Sequence, residues 1–330
     1  MKRKAYALIT LMLALMLALT ACGSAAPQAS TAAESAAPTA AVETSAAEAS
    51  FPLPTEDRAG NPITVSADIQ KIVSMSPATT QLIESFGLLD KVIAVDKHSP
   101  GYVKGLEALP QFDMMQPDVE AMIALKPDIV FVTGMSYHDG GNPFKGLVDA
   151  GISVVVIPSS SSIEGVRGDI LFTASCLGKG PEGQALIDRM DAEIAQIAAI
   201  GATIKDRKTV MFEIAALPKM YSFGKGTFLN EMLEIIGAKN VFGDQEKWIP
   251  VTEEAAIGAN PDVILTNVDY IEDPVQDILS RKGWEAMKSI QNKQVFYIDN
   301  GASNLTNHHI AEALKQMAKA VYPEAYSAIQ

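Results

Sequence analysis

One short pattern occurs twice in this chain and limits what it can fold into. Glu120-Ala121-Met122-Ile123-Ala124-Leu125-Lys126-Pro127-Asp128 runs straight into the apolar segment Ile129-Val130-Phe131-Val132. Glu254-Ala255-Ala256-Ile257-Gly258-Ala259-Asn260-Pro261-Asp262 runs into Val263-Ile264-Leu265. Both read Glu-Ala-x-Ile-x-x-x-Pro-Asp followed by a strand-like run. Proline lacks the N–H and the backbone freedom that a helix needs, so each copy predicts a helix that stops and a strand that starts at once. A second pair agrees: Leu82 to Gly87 precedes Val92, and Leu233 to Gly237 precedes Val241. Matched segments on either side of the chain's middle predict two lobes of related construction.

The remaining pattern fits that plan. Lys71–Met75, Val92–Val95, Ser153–Ile157, Thr209–Ile214 and Gln294–Ile298 are short apolar runs. Between them lie stretches with helical spacing, such as Thr79–Phe86 and Thr227–Ile236. Strands alternating with helices predict α/β layers with largely parallel sheets. Phe51–Val65, with Ala59-Gly60-Asn61-Pro62 at its centre, predicts a hairpin. Pro181 to Ile204 carries apolar residues at Leu186, Ile187, Met190, Ile194, Ile197 and Ile200. A helix of that length spans about 36 Å, enough to run the height of the body and join the lobes as a strut.

The N-terminus carries a different signal. Lys2, Arg3 and Lys4 precede an apolar run from Ala5 to Ala18, and Leu19-Thr20-Ala21-Cys22 follows. Positive charge, apolar core and small-residue site, in that order, mark a secretory signal peptide. The run is short for a membrane span, which needs about 20 residues. Leu-Thr-Ala-Cys resembles a bacterial lipobox, which implies cleavage after residue 21 and a lipid on Cys22 that anchors the protein outside the cytoplasm. Residues 23–50 hold only Gly, Ser, Ala, Pro, Gln, Thr, Glu and Val. Such a segment buries too little apolar surface to offset its ordering entropy, so 22–50 is expected to act as a tether, with an end-to-end distance of about 30 Å. The expected boundaries are 1–21 leader, 22–50 lipidated cysteine and linker, 51–165 first lobe, 166–207 helical region and 208–330 second lobe.

Charge and cysteine content narrow the partners. A formal charge of −13 argues against nucleic acid. Cys22 and Cys176 are the two cysteines, so a lipid on the first leaves the second without a disulfide partner.

These features, in this order, resemble the iron-siderophore and cobalamin type of substrate-binding protein that serves ABC importers. The resemblance runs over about residues 55–325. It rests on Lys71–Thr80, Val119–Val132, Phe223-Gly224-Lys225-Gly226-Thr227-Phe228-Leu229 and Trp248–Glu254, together with the lipobox and the central helix. It implies a class III fold: two Rossmann-like lobes with central parallel sheets, one long bridging helix and a ligand cleft between the lobes. It implies no catalysis and no cofactor, although the ligand itself can contain iron or cobalt. The implied partners are a small metal chelate, a permease dimer with its cytoplasmic ATPase, and the membrane.

In open parallel sheets, ligands lie beyond the carboxyl ends of the strands. Ser76 and Pro77 follow the first strand and open a helix whose free N–H groups can face a ligand. His98 follows the second strand, and Tyr137 and His138 follow Phe131-Val132-Thr133. In the second lobe, Tyr221 lies in Pro218–Lys225, and His308 and His309 lie in the loop after the last strand. The histidines are candidate ligand contacts or metal ligands, and loops also collect exposed histidines for no such reason. Trp248 stands where the resemblance implies an aromatic over the ligand. Cobalamin binders of the family present further aromatics where this chain has His98, Met114 and Thr133, which departs from their pattern. The resemblance also implies that one acidic residue per lobe docks with permease arginines: Glu120 and Glu254, with Asp118 and Glu253 as neighbouring alternatives. A bare-metal importer and a cleft enzyme of the same shape are the alternatives. Against the enzyme, the chain has no Gly-x-Ser-x-Gly, Gly-x-x-x-x-Gly-Lys-Ser/Thr or His-Glu-x-x-His motif.

Overall fold

The computed structural model describes residues 51–329, and of 138–140 the backbone only. The leader, Cys22 and the linker lie outside the described residues.

The first lobe is built on five strands: β1 (Ile72–Met75), β2 (Val92–Asp96), β3 (Gln111–Phe112), β4 (Ile129–Thr133) and β5 (Ser153–Ile157). They form one parallel sheet in the order β3-β2-β1-β4-β5. Helices α1 (Pro77–Ser85), α2 (Val119–Leu125) and α3 (Lys145–Asp149) connect them. Both sheet faces are covered, which is why the strands read as largely apolar runs instead of alternating. Ile72, Phe131 and Val155 join one core with Ile83 and Cys176. Their neighbours Val73, Val130 and Val154 join another with Met122, Phe144 and Leu147. Burial pushes the Cys176 thiol up to about 12, so it is a small apolar side chain and not a reactive one.

Two helices follow, α4 (Ile163–Cys176) and α5 (Gly180–Gly201). With 22 residues α5 is about 33 Å long. Its Leu186, Ile187, Met190, Ile194 and Ile197 enter a core that takes Leu82 and Phe86 from the first lobe. The same core takes Met232, Leu233, Leu314 and Met317 from the second. The long helix is therefore a strut packed against both halves.

The second lobe contains β6 (Thr209–Glu213), β7 (Tyr221–Phe223), β8 (Lys239–Asn240), β9 (Trp248–Pro250), β10 (Val263–Thr266) and β11 (Val295–Tyr297). Its helices are α6 (Phe228–Ile235), α7 (Glu253–Ala259), α8 (Pro274–Leu279), α9 (Lys288–Gln291), α10 (Asn300–Asn304) and α11 (Ile310–Val321). The main sheet is parallel, β11-β10-β6-β8, and β7 and β9 form a separate antiparallel ribbon. Read from the other edge, β8-β6-β10-β11 repeats the arrangement β2-β1-β4-β5, so the first lobe differs by one added edge strand.

The repeated sequence pattern has one structural explanation. Asp118 caps α2 by accepting from the Ala121 N–H, and Thr252 caps α7 by accepting from the Ala255 N–H. Each helix ends on a left-handed residue, Lys126 at φ 53° and Asn260 at φ 44°. The aspartate after each proline then reaches the neighbouring strand. Asp128 accepts the N–H groups of Gln70 and Lys71 at 2.8 Å each. Asp262 accepts from the N–H of Thr209 at 2.9 Å and from its hydroxyl at 2.8 Å. Proline ends the helix, and aspartate pins the incoming strand beside the central one.

The hairpin expected at Phe51–Val65 reduces to a strap with one bridge, Glu56 to Pro62. The buried Asp57 carboxylate accounts for this. It accepts from the N–H groups of Ala59 and Asn61 and from that of Val156 on edge strand β5, at 2.8–3.0 Å. Side-chain bonding to the sheet edge replaces a strand ladder.

Candidate functional site

A cleft of about 600 Å³ lies where the carboxyl ends of the first-lobe strands face the second lobe. That volume is in the range of small-molecule and cofactor sites. Each first-lobe strand contributes its following loop. After β1, Ser76 and Pro77 open α1, and the Ser76 side chain makes no capping bond, so its hydroxyl stays uncommitted at the cleft wall.

The loop after β2 is held by a buried polar knot. Asp96 accepts the N–H groups of His98 and Ser99 at 2.8 and 3.1 Å and also the Ser99 hydroxyl. Thr80 Oγ1 lies 2.9 Å from Ser99 Oγ and donates to Ser74 Oγ at 2.8 Å. Asp96, Ser99, Thr80 and Ser74 are each wholly buried. A satisfied knot of this kind fixes a loop in one conformation, and this one presents His98 and Tyr102 to the cleft. The Tyr102 hydroxyl continues across the lobes and donates to Asn300 Oδ1 at 3.1 Å.

The second lobe supplies an aromatic wall. Trp248 on β9 faces Phe223 on β7, with ring centroids 6.0 Å apart in edge-to-face geometry, and lies 6.3 Å from Phe228. Phe223 is buried and serves as backing, whereas Trp248 is 46 % exposed and lines the cleft together with Phe228. Opposite stand Met114, Met135 and the serine loop Ser159–Ser161. Asp169 of α4, 3 % exposed, lies behind that loop. No lysine or arginine is among the described residues that line the cleft.

Of the residues expected at the site, the structure brings Ser76, Pro77, His98 and Trp248 together. Tyr137 turns away and packs on Phe144, ring centroids 6.1 Å apart, because a buried apolar cluster lies on that side of the sheet. Tyr221 stands opposite Pro250, two pairs along the ribbon from Trp248, and remains outside the cleft. His138 has its backbone in the turn after β4, and its side chain lies outside the described residues. His308 sits on the seam between the lobes: its ring lies against His309 with centroids 4.0 Å apart, and its Nε2 is 3.3 Å from Ser85 Oγ. Burial, with the nearby His309 and Arg189, pushes the His308 pKa down to about 3. Asn307 reinforces the seam by donating to Gln81 Oε1 at 2.6 Å. Among the described residues, no three of His, Cys, Asp and Glu converge as a metal site.

Tyr102, Met135, Phe228, Asp169 and the serine loop were not singled out from the sequence. The serine run after β5 obeys the same strand-end rule as Ser76 and could have been found that way. Asp169 and Tyr102 carry no local signal, since burial against distant chain segments brings them in. Glu120 and Glu254 are exposed in the first turns of α2 and α7. Glu253 accepts a hydrogen bond from Trp284 Nε1 at 3.1 Å and Asp118 is spent as a cap. Glu254 sits below the usual carboxylate range, held there by the backbone N–H at the helix start and by the Thr252 hydroxyl.

A substrate-binding protein of two α/β lobes is what this geometry describes, and known proteins agree. The model of the periplasmic binding protein family matches residues 72–302. An uncharacterized ABC transporter substrate-binding lipoprotein, YvrC of Bacillus subtilis, is 30% identical over 84% of this chain and 87% of its own length. A cobalamin-binding protein of Halobacterium salinarum is 24% identical over 83% of this chain and 75% of its own. The molybdate-bound structure of MolA from Haemophilus influenzae superposes with a TM-score of 0.72 at 23% identity, covering 83% of this chain and 92% of that one. The chain belongs to the periplasmic binding protein family, and its relatives are solute-binding components of ABC transporters. No described helix is long and apolar enough to cross a membrane.

Proposed function

We propose that this protein captures a metal chelate of the cobalamin, haem or iron-siderophore class in its interlobe cleft. It then delivers that ligand to an ABC permease dimer powered by a cytoplasmic ATPase, while a lipid on Cys22 keeps it at the outer face of the membrane. The observation that carries the ligand class is the cleft wall: Trp248 and Phe228 face methionines and a row of hydroxyls, with no lysine or arginine among the described lining residues. A bare oxyanion such as molybdate would find no lysine or arginine among the described lining residues, and a bare metal ion would find no cluster of ligating groups among the described residues. A bulky chelate offers what the cleft can use, namely apolar faces for the aromatic wall and polar edges for the hydroxyls. The lack of lysine and arginine among the described lining residues favours a chelate of low net charge, such as a corrinoid or a neutral ferric hydroxamate, over haem with its two propionates. Glu120 and Glu254, one per lobe and exposed in the first turns of α2 and α7, are the residues we assign to permease docking. Charges at such a rim set register and encounter rate more than affinity.

Native mass spectrometry of the purified body with cyanocobalamin, haemin and a ferric hydroxamate tests the reading. A one-to-one complex with one of the three is expected. Binding of molybdate or of a free divalent ion, with none of the chelates retained, would overturn it.

A further inference from the structure

The cleft wall contains one acidic side chain among its described residues, Asp169, and a segment distant in sequence holds it in place. We infer that Arg58, on the strap that opens the body, is a positioning residue for the ligand cleft. It acts through Asp169 on the serine loop, and the inference rests on this cleft being the binding site.

The contacts form a chain from the outside inward. Arg58 Nε donates to Asp169 Oδ1 at 2.8 Å, and its Nη2 reaches the Gly165 carbonyl at 3.4 Å. The other Asp169 oxygen, Oδ2, accepts from Ser160 Oγ at 2.5 Å. Ser160 belongs to the loop that lines the cleft. Two glycines of α4 make the approach possible. A Cβ on Gly168 would lie 2.7 Å from Arg58 Nη2, and one on Gly165 would lie 2.6 Å from Ser160 Oγ. Ordinary side chains at either position would push the guanidinium or the serine off the helix. The strap is itself fastened, since Asp57 beside Arg58 accepts the Val156 N–H on β5. Arg58 is thus tied through its neighbour Asp57 to the strand that feeds the serine loop and through its own side chain to the carboxylate behind that loop.

The arrangement has two consequences. Ser160 is committed as a donor to Asp169, so its oxygen lone pairs are what it can offer a ligand. The buried carboxylate is neutralised from behind, so a ligand entering the cleft meets a paired charge. Without the guanidinium, a buried charge would stand uncompensated at the wall, and the loop would lose its anchor.

Arg58→Met, Arg58→Lys, Asp169→Asn and the double variant Arg58→Met/Asp169→Asn test this in two ways. Hydrogen–deuterium exchange on the ligand-free protein reads the loop. In Arg58→Met, exchange of the segment Ile157–Ser162 should rise about tenfold, the equivalent of losing one charge-assisted hydrogen bond. Arg58→Lys, which keeps a cation within reach of Asp169, should restore most of the protection. Titration calorimetry with cyanocobalamin as probe reads the cleft. Arg58→Met should bind about tenfold more weakly, and the double variant should recover most of that loss because no bare carboxylate remains. Wild-type exchange and affinity in Arg58→Met would overturn the inference. So would a double variant as weak as Arg58→Met, which would mean that Arg58 only packs the strap. If the wild-type protein does not bind cyanocobalamin, the ligand reading fails for that probe, and the exchange arm still decides the role of Arg58. Should Arg58→Met not fold, Asp169→Asn decides instead: its single amide oxygen cannot accept from both Arg58 and Ser160, so exchange of the loop should rise as it would in Arg58→Met, and a loop that keeps wild-type protection would refute the mechanism.

Discussion

Acid should loosen this protein through His308. Its imidazole is held on the seam between the lobes with a pKa of about 3, against an ordinary value of 6.5. Burial is the main cause, with His309 and Arg189 adding repulsion. The folded state therefore keeps a neutral ring where the unfolded chain takes up a proton. Stability is full above the unfolded pKa and is lost as pH falls toward the folded one. Between about pH 7.5 and about pH 5 this one group removes about 2 kcal/mol, approaching 5 kcal/mol at still lower pH. The ring's buried Nδ1 has no partner, so a proton placed there gains no hydrogen bond in return. His309, also lowered by burial but supported by Glu84, Asp299 and Glu312, adds a smaller share of the same sign. His308→Gln removes the titration and keeps a polar contact for Ser85. Urea unfolding of both proteins at the two pH values gives the comparison. The wild type should lose about 2 kcal/mol more than the variant on acidification. Equal losses would show that the ring is solvated in the folded state, and the reasoning would fail.

Three further outcomes are expected. Trp248→Ala should weaken chelate binding but cost less stability than the roughly 3–5 kcal/mol of a buried aromatic, whereas Trp284→Ala, at a wholly buried site, should cost that full amount; thermal melts beside ligand titrations separate the two. Cys22→Ala should shift the protein from the membrane fraction to the soluble one, and an unchanged distribution would remove the lipobox assignment. Glu120→Lys/Glu254→Lys should abolish uptake in cells while ligand affinity in solution stays at the wild-type value, because charge reversal adds repulsion at the permease without touching the cleft.

What the sequence revealed depended on how local the cause was. The helix–Pro-Asp–strand units were legible because capping, the proline stop and the aspartate staple all fall within one short segment plus one neighbouring strand. The strand-end rule found the right loops for the same reason. It could not say which way a side chain turns. Tyr137 follows β4 as expected, yet a buried cluster beside it offers more apolar contact than the cleft does. Tyr221 and Trp248 sit on one ribbon, and only cross-strand register decides that Trp248 reaches the cleft wall. The hairpin expectation failed because turn residues were present while the deciding group, the Asp57 carboxylate, satisfies the sheet edge by side-chain bonds.

The seam between the lobes also bears on how a ligand enters. Gln81 and Ser85 of α1 meet Asn307 and His308 directly, and Tyr102 meets Asn300. Leu82 and Phe86 on the same helix belong to the core shared with α5, α6 and α11. Parting the lobes would break these polar contacts. Exposing those two side chains would cost roughly 1.5–3 kcal/mol each. The loop after β4 and the β7–β9 ribbon carry no comparable penalty: Met135 is already 59 % exposed and Trp248 nearly half exposed. Ligand entry is therefore cheaper by movement of the loop after β4 and of the β7–β9 ribbon than by hinging of whole lobes. The loop after β5 is the exception: Asp169 and Arg58 brace it, so it forms a fixed wall beside the parts whose motion costs least.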